Sequence, residues 1–224
     1  MIRLSDYDTI FFDCDGVILD SNKIKTEAFA ASLESYPETL VEEFLEYHKE
    51  HNGVSRYEKF KYFFTSMNPS NDKERRISSS LEKYSSITRE SLLSCNLIPG
   101  ILNTLEMISK TSKKVFVITG GDEEEVKFVF KRRLLDKHFT DILGSPKTKA
   151  QNMGKVLNEH REIGRCIFFG DSKIDFEVAV SFECDFVFVS EKSEWLEGED
   201  FVRQNRCKSI PNFLEIFYTE NSTL

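Results

Sequence analysis

The sequence carries five short apolar runs in which hydrophobic residues follow one another without strict alternation: residues 9–13, 114–119, 141–143, 165–170 and 185–189. A strand with one face in water has to alternate, because successive side chains point to opposite faces. Runs rich in Phe, Val and Ile without that alternation predict strands covered on both sides, the condition met in a parallel sheet with helices on each face. Helical patterns, with apolar residues three and four apart, fall between the later strands at 123–135 and 149–160. Strand and helix therefore alternate, which predicts an α/β fold with a Rossmann-like parallel core and right-handed crossovers.

One interval breaks the alternation. About a hundred residues separate the first strand from the second, where a crossover needs only a dozen or more. Residues 21–95 read as helices alone (27–33, 39–51, 57–67 and 72–94), with Asn68-Pro69-Ser70-Asn71 as a turn among them. The expectation is a small helical cap over residues 20–95, inserted into a core made of 1–19 and 96–224 and hinged near 19–22 and 96–100.

The formal net charge of −8 argues against a nucleic-acid partner, which calls for a basic face. It leaves room for small anionic substrates where lysines and a cation gather locally. The longest apolar stretches have strand length, far short of a membrane span. The charges on Arg3, Asp6 and Asp8, ahead of a short apolar run, do not make a signal-peptide pattern. The five cysteines are odd in number, scattered and never spaced as CxxC, which predicts free thiols, no zinc site and a reducing, cytoplasmic setting. Cys14 lies between two carboxylates, yet strand-end alternation points it away from Asp13 and neighbouring negative charge disfavours its thiolate.

Ligands of parallel α/β sheets bind outside the carboxyl ends of the strands. Four polar segments occupy those ends: Asp13-Cys14-Asp15-Gly16; Thr119-Gly120-Gly121; Lys147 and Lys149; and Gly170-Asp171-Ser172-Lys173-Ile174-Asp175. Singly each has an ordinary explanation: a tight turn with Asp122 as N-cap, solvated lysines, or Asp175 favoured in a first helical turn. Together they supply the parts of phosphoryl transfer. Asp13 offers an attacking oxygen and Asp15 a proton for the leaving oxygen. Thr119, Gly120 and the following backbone N–H groups can hold phosphoryl oxygens, and a lysine neutralises charge. Asp171, aided by Asp175 directly or through water, would complete with Asp13 and Asp15 an all-oxygen site suited to Mg²⁺.

Four motifs in order, Asp-Cys-Asp-Gly-Val-Ile-Leu-Asp-Ser from Asp13, Ile-Thr-Gly-Gly from Ile118, Gly-Ser-Pro-Lys-Thr-Lys from Gly144 and Gly-Asp-Ser-x-x-Asp from Gly170, resemble those of the haloacid dehalogenase-like hydrolases. The resemblance spans essentially the whole chain. It points to the branch with a helical cap after the first strand, similar to phosphoglycolate phosphatase and β-phosphoglucomutase. It implies Asp13 as nucleophile, Asp15 as general acid/base whose backbone carbonyl meets the metal, Thr119 as phosphate ligand, and Asp171 as metal ligand supported by Asp175. Lys149, which opens its helix, is favoured as the charge-neutralising lysine, with Lys147 as the alternative or a substrate contact.

The segment Gly53-Val54-Ser55-Arg56-Tyr57-Glu58-Lys59-Phe60 resembles the cap motif with which β-phosphoglucomutase-like members hold the far end of a phosphosugar. That makes Arg56 a candidate substrate-binding residue, with Lys59 and His51 behind it. The competing reading is a helix start at Ser55 with Glu58 as capping partner and Arg56 exposed. Asp20 either faces substrate at the hinge or caps the next helix. The expected activity is Mg²⁺-dependent hydrolysis of a small phosphorylated metabolite, a sugar or sugar-acid phosphate, by a monomer or homodimer. The Gly170-Asp171-Ser172 sequence favours this over a phosphosugar mutase, and a binding protein reusing the fold is a third reading. The tail, with Trp195 and a helix near 211–218, is expected to pack on the sheet edge.

Overall fold

The computed structural model describes residues 2–160 and 162–216. Among them six strands, β1 (Thr9–Phe12), β2 (Lys114–Asp122), β3 (Asp141–Ser145), β4 (Cys166–Gly170), β5 (Asp185–Val189) and β6 (Lys208–Ile210), form one parallel sheet in the order β3-β2-β1-β4-β5-β6. β1 is central, with Phe12 opposite Val117 on one side and Phe169 on the other. Phe11 stacks with Phe116 at 5.5 Å and Phe168 at 6.2 Å on one face, while Phe12 meets Phe169 at 5.2 Å and Phe213 at 5.8 Å on the opposite face. Two dry faces explain why the run does not alternate, and each buried Phe contributes about 1.5 to 3 kcal/mol.

Between β1 and β2 lie α1 (Asn22–Ser32), α2 (Glu38–Glu50), α3 (Arg56–Tyr62), a π-helical turn at Phe63–Met67, and α4 (Lys73–Ser94). They enclose an apolar cluster of their own, built around Phe29, Phe44, Phe60, Phe63, Phe64 and Tyr84. The chain enters and leaves this insertion through two segments bonded to each other. Leu19 bridges Leu97 in antiparallel fashion, the Asp20 N–H donates to the Asn96 carbonyl at 2.9 Å, and the Ile98 N–H to the Ile18 carbonyl at 3.0 Å.

The remaining helices cover the sheet. Ile101, Leu105 and Ile108 of α5 (Ile101–Ile108) and Val126, Val129 and Phe130 of α6 (Glu123–Arg132) bury the Phe12 face. α7 (Lys149–Glu159), α8 (Lys173–Ser181) and α9 (Gly198–Gln204) bury the Phe11 face through residues such as Met153, Val178 and Val202. This is the predicted doubly covered parallel α/β fold.

The differences are local. α1 begins five residues before the expected helix at 27–33, and the expected helix at 57–67 is divided between α3 and the π turn. β6 lacks an apolar run: only Ile210 is buried, and its strand character comes from pairing with β5. Trp195 does pack at that edge, 5.6 Å from Phe188 and 4.9 Å from Phe201. The expected helix at 211–218 is described only to residue 216, the rest lying outside the described residues. The free-thiol expectation is corrected at Cys166 and Cys184, which form a disulfide with Cα atoms 5.0 Å apart. Their spacing of 18 residues hides a crossover that sets the starts of two neighbouring strands side by side, and the cysteine argument for a reducing compartment falls with it. No helix among the described residues is long and apolar enough to cross a membrane.

Candidate active site

Strand register brings the motifs together. Asp13 follows Phe12, level with Ile118 and Gly170, so that Asp13, Thr119 and Asp171 leave three adjacent strands at the same edge of the sheet. Gly16 then turns with φ +73°, and a Cβ there would strike the Asp171 carboxylate and the Asn22 amide, so conformation and space both require glycine.

The Asp13 carboxylate is buried, accepting the Cys14 N–H at 2.7 Å and lying 2.9 Å from the Lys149 ammonium. Lys149 also reaches Asp175 at 2.6 Å. It is the first residue of α7, held there by the Thr148–Gln151 capping box. The second oxygen of Asp175 accepts the Ser172 N–H at 3.2 Å and hydroxyl at 2.6 Å, closing the capping box of α8. Asp171 accepts the Asn22 amide at 2.5 Å. Thr119 is fully buried; its Oγ accepts the Gly121 N–H at 3.0 Å, leaving the hydroxyl hydrogen to donate.

Burial pushes the Asp13 carboxyl up to about 7; Lys149 pulls it down, while Asp175 and Asp15 add to the rise. Burial, then Asp13 and Asp175, raise Asp171 well above the carboxylate range. Oxygens of Asp13, Asp171 and Asp175 lie within 4.8 Å of one another. One lysine does not neutralise three crowded carboxylates, and the donor set is all oxygen, so these residues fit a hard divalent cation. Asp15 differs: burial opposes its charge, but Lys25 in direct contact and the Ser21 hydroxyl at 2.6 Å hold its carboxyl below the usual range.

The helical insertion roofs this site. A cavity of about 40 Å³ lies between them, bordered by Asp13, Asp15, Lys25, His48, Arg56 and Lys59 among others. The two sides touch so closely that a Cβ on Gly120 would run into the Gly53 carbonyl. Arg56 is buried, correcting its exposed reading. Its guanidinium lies 2.9 Å from Glu125 and 3.6 Å from Asp122, near the rings of Tyr57 and Tyr84. Ser55 nevertheless caps α3, accepting the Glu58 N–H at 3.3 Å.

Three expected residues are not brought in. Lys147 is exposed in the loop before α7, His51 is exposed and stacks on Tyr47 at 4.0 Å, and Asp20 pairs with Lys192 at 3.0 Å without capping α1. In their place stand Lys25 and His48. An earlier start for α1 would have placed Lys25 one turn in, facing the first motif. His48 sits one helical turn before His51, on the buried face of α2.

His48 anchors a hydrogen-bond chain. Thr26 gives its single hydroxyl hydrogen to Glu194 at 2.9 Å, so it accepts from His48 Nε2 at 2.9 Å, and His48 Nδ1 is left to accept from Lys59 Nζ at 2.6 Å. Burial and then Lys59 push the ring down to about 2, keeping it neutral. Burial and then Lys25 push Lys59 from 10.5 down to about 7. Between those values the unfolded chain carries a proton that the folded chain releases, so stability rises with pH across the window and the full penalty applies below it. Lys59→Met is therefore expected to stabilise the protein by on the order of 3 kcal/mol at pH 6, with the gain vanishing towards pH 10. Urea unfolding at pH 6, 8 and 10 measures it; a difference independent of pH would contradict the depressed ammonium.

Topology and site together describe a doubly wound α/β protein with a carboxylate–lysine centre at the ends of its middle strands. The chain belongs to the haloacid dehalogenase-like hydrolase family, whose sequence model matches residues 10–189. No curated protein matches the chain significantly. Among solved structures, a predicted phosphatase from Clostridium acetobutylicum is similar over 97% of this chain and 99% of its own, with TM-score 0.72 and 16% identity. A predicted phosphoglycolate phosphatase from Haemophilus somnus covers 96% and 98% with TM-score 0.71 and 16% identity. A candidate β-phosphoglucomutase from Thermotoga maritima covers 97% and 100% with TM-score 0.68 and 20% identity. At these identities the likeness is one of fold.

Proposed function

We propose that this chain is a divalent-cation-dependent phosphatase, acting on a small phosphomonoester through an aspartyl-phosphate at Asp13, with residues 20–95 as its cap. The observation that carries this is the Asp13 carboxylate, buried against Lys149 beside Asp171, with Asp15 two residues on. Asp13 attacks phosphorus as the ester P–O bond breaks, and Asp15 protonates the departing oxygen. Asp15 then takes a proton from the water that attacks the same phosphorus and frees Asp13. Lys25 holds Asp15 ionised in the absence of substrate; a phosphate dianion competes for that lysine and raises the carboxyl towards its acid form. Lys149 and the Thr119 hydroxyl hold the transferring oxygens in place.

Asp13, the Asp15 carbonyl and Asp171 would hold Mg²⁺, with Asp175 supporting through Lys149 or water; the ion supplies charge neutralisation between nucleophile and phosphate. Family membership and the phosphatase names of the fold neighbours support the reaction class, and the narrow cavity supports a small leaving group such as a sugar or sugar acid. The test is phosphate release from a panel of small phosphate esters, with Mg²⁺ and after chelation. Metal-dependent release concentrated on one class is expected. No release from any ester would favour a mutase needing a bisphosphate primer, or a binding protein.

A further inference from the structure

The head of α1 directs its polar side chains away from its own helix. Ser21 stands at the N-cap but makes no side-chain cap bond; its hydroxyl goes to the Asp15 carboxylate at 2.6 Å. A capping hydroxyl ordinarily satisfies a free N–H of the first turn, and here that bond is forgone for the site. Asn22, the first residue of α1, does the same for Asp171. It is buried, although a short amide is a poor helix former. Both of its amide hydrogens are engaged, one on Asp171 Oδ2 at 2.5 Å and one on the Lys192 carbonyl at 2.8 Å. The Ser193 hydroxyl, in the same loop after β5, donates to the Asp171 main-chain carbonyl at 2.6 Å. Two donors from distant parts of the chain therefore grip one residue, its carboxylate from α1 and its backbone from the loop. That loop and α1 meet at two further points, Lys192 with Asp20 at 3.0 Å and Glu194 with Thr26 at 2.9 Å, so Asn22 stays on Asp171 only while α1 is seated.

The chemistry of the donor matters as much as its place. Fixing one carboxylate oxygen sets the rotamer of Asp171 and so where its other oxygen falls. An amide does this without charge: an ammonium would cancel the negative charge a cation requires, and a carboxylate would add repulsion. We propose that Asn22 is a positioning residue that holds Asp171 ready for the divalent cation, so that cation binding depends on the helical insertion being seated on the sheet through α1. This rests on the cation-dependent reading and adds to it a regulation. Linkage is reciprocal, so a cation that binds the seated form more tightly also holds α1 in place.

The test is calorimetric titration of Mg²⁺, and separately of Mn²⁺, into chelator-treated native protein, Asn22→Ala and Asn22→Leu. Both variants are expected to bind the ions about ten-fold more weakly or worse. Leu fills the space of Asn but carries no N–H, so a role in packing alone predicts that Asn22→Leu recovers native affinity. That recovery, or native affinity in Asn22→Ala, overturns the proposal. A measurement that needs no variant is amide hydrogen exchange of the native protein. Mg²⁺ at about ten times its Kd should slow exchange across α1 by about ten-fold relative to chelator, and unchanged exchange there overturns the coupling. No cation bound by the native protein refutes the cation-dependent reading itself, a result distinct from equal binding by native protein and variants, which refutes only the role of Asn22.

Discussion

Asp13→Asn is expected to abolish phosphate release, lowering kcat by about 10⁴-fold or more while the fold survives. The amide matches the carboxylate in shape but cannot attack phosphorus. Its Oδ1 can still accept the Cys14 N–H that fixes the rotamer. Stability should hold or rise, because the change removes a carboxylate that burial already resists ionising and that is crowded by Asp171 and Asp175. Phosphate release beside a thermal melt of both proteins is the measurement. Turnover above about 1% of native, from a variant shown free of wild-type contamination, would remove Asp13 from the nucleophile role.

Lys149→Met should cost activity and stability together. Its ammonium is the sole cation in contact with Asp13 and Asp175 among the described residues, and losing it leaves two buried carboxylates facing each other. Activity is expected to fall by about 10³-fold. Removing one partner of a buried ion pair typically costs about 3 to 5 kcal/mol. The pH dependence follows from Asp13, already raised to about 7 with the lysine present. Without Lys149 it rises further, so the folded chain holds a proton that the unfolded chain releases above its ordinary carboxylate range. Stability of the variant must therefore fall as pH rises, and its deficit should widen from pH 5 to pH 8 in chelator. Urea titrations at the two pH values check this; a deficit that narrows with pH would show that Lys149 does not stabilise the charged carboxylates. Lys147→Met, in the exposed loop, should stay within about two-fold of native activity.

The sheet and the polar segments at its strand ends were legible because they rest on local signals. Phe11 and Phe12 point to opposite faces, and only burial of both faces tolerates such a pair. Lys149 could be preferred to Lys147 from its place at a helix start, and the structure puts it against Asp13. What escaped depends on packing at a distance. Nothing in Lys208-Ser209-Ile210 announces a strand until β5 offers an edge. Lys25 reaches Asp15 because α1 starts early and lies over the first motif. His51, a candidate from its place beside the cap motif, and His48, which meets the site, lie one turn of α2 apart, a difference invisible without knowing which face meets the site. Arg56 was weighed as a substrate ligand or a surface residue, and its contact with Glu125 lies some seventy residues away in the sequence.

The paired segments at Leu19 and Leu97 bear on how the chain folds. β1 and β2 are the central neighbours, yet about a hundred residues separate them, and pairing across so long a loop is slow because closure entropy precedes any reward. The four intervening helices have an aromatic nucleus of their own. Once they collapse, residues 19 and 97 are brought together, and the effective loop shrinks from a hundred residues to a handful. The segment that roofs the candidate site would thus also act as a splint for the sheet, setting the order of assembly.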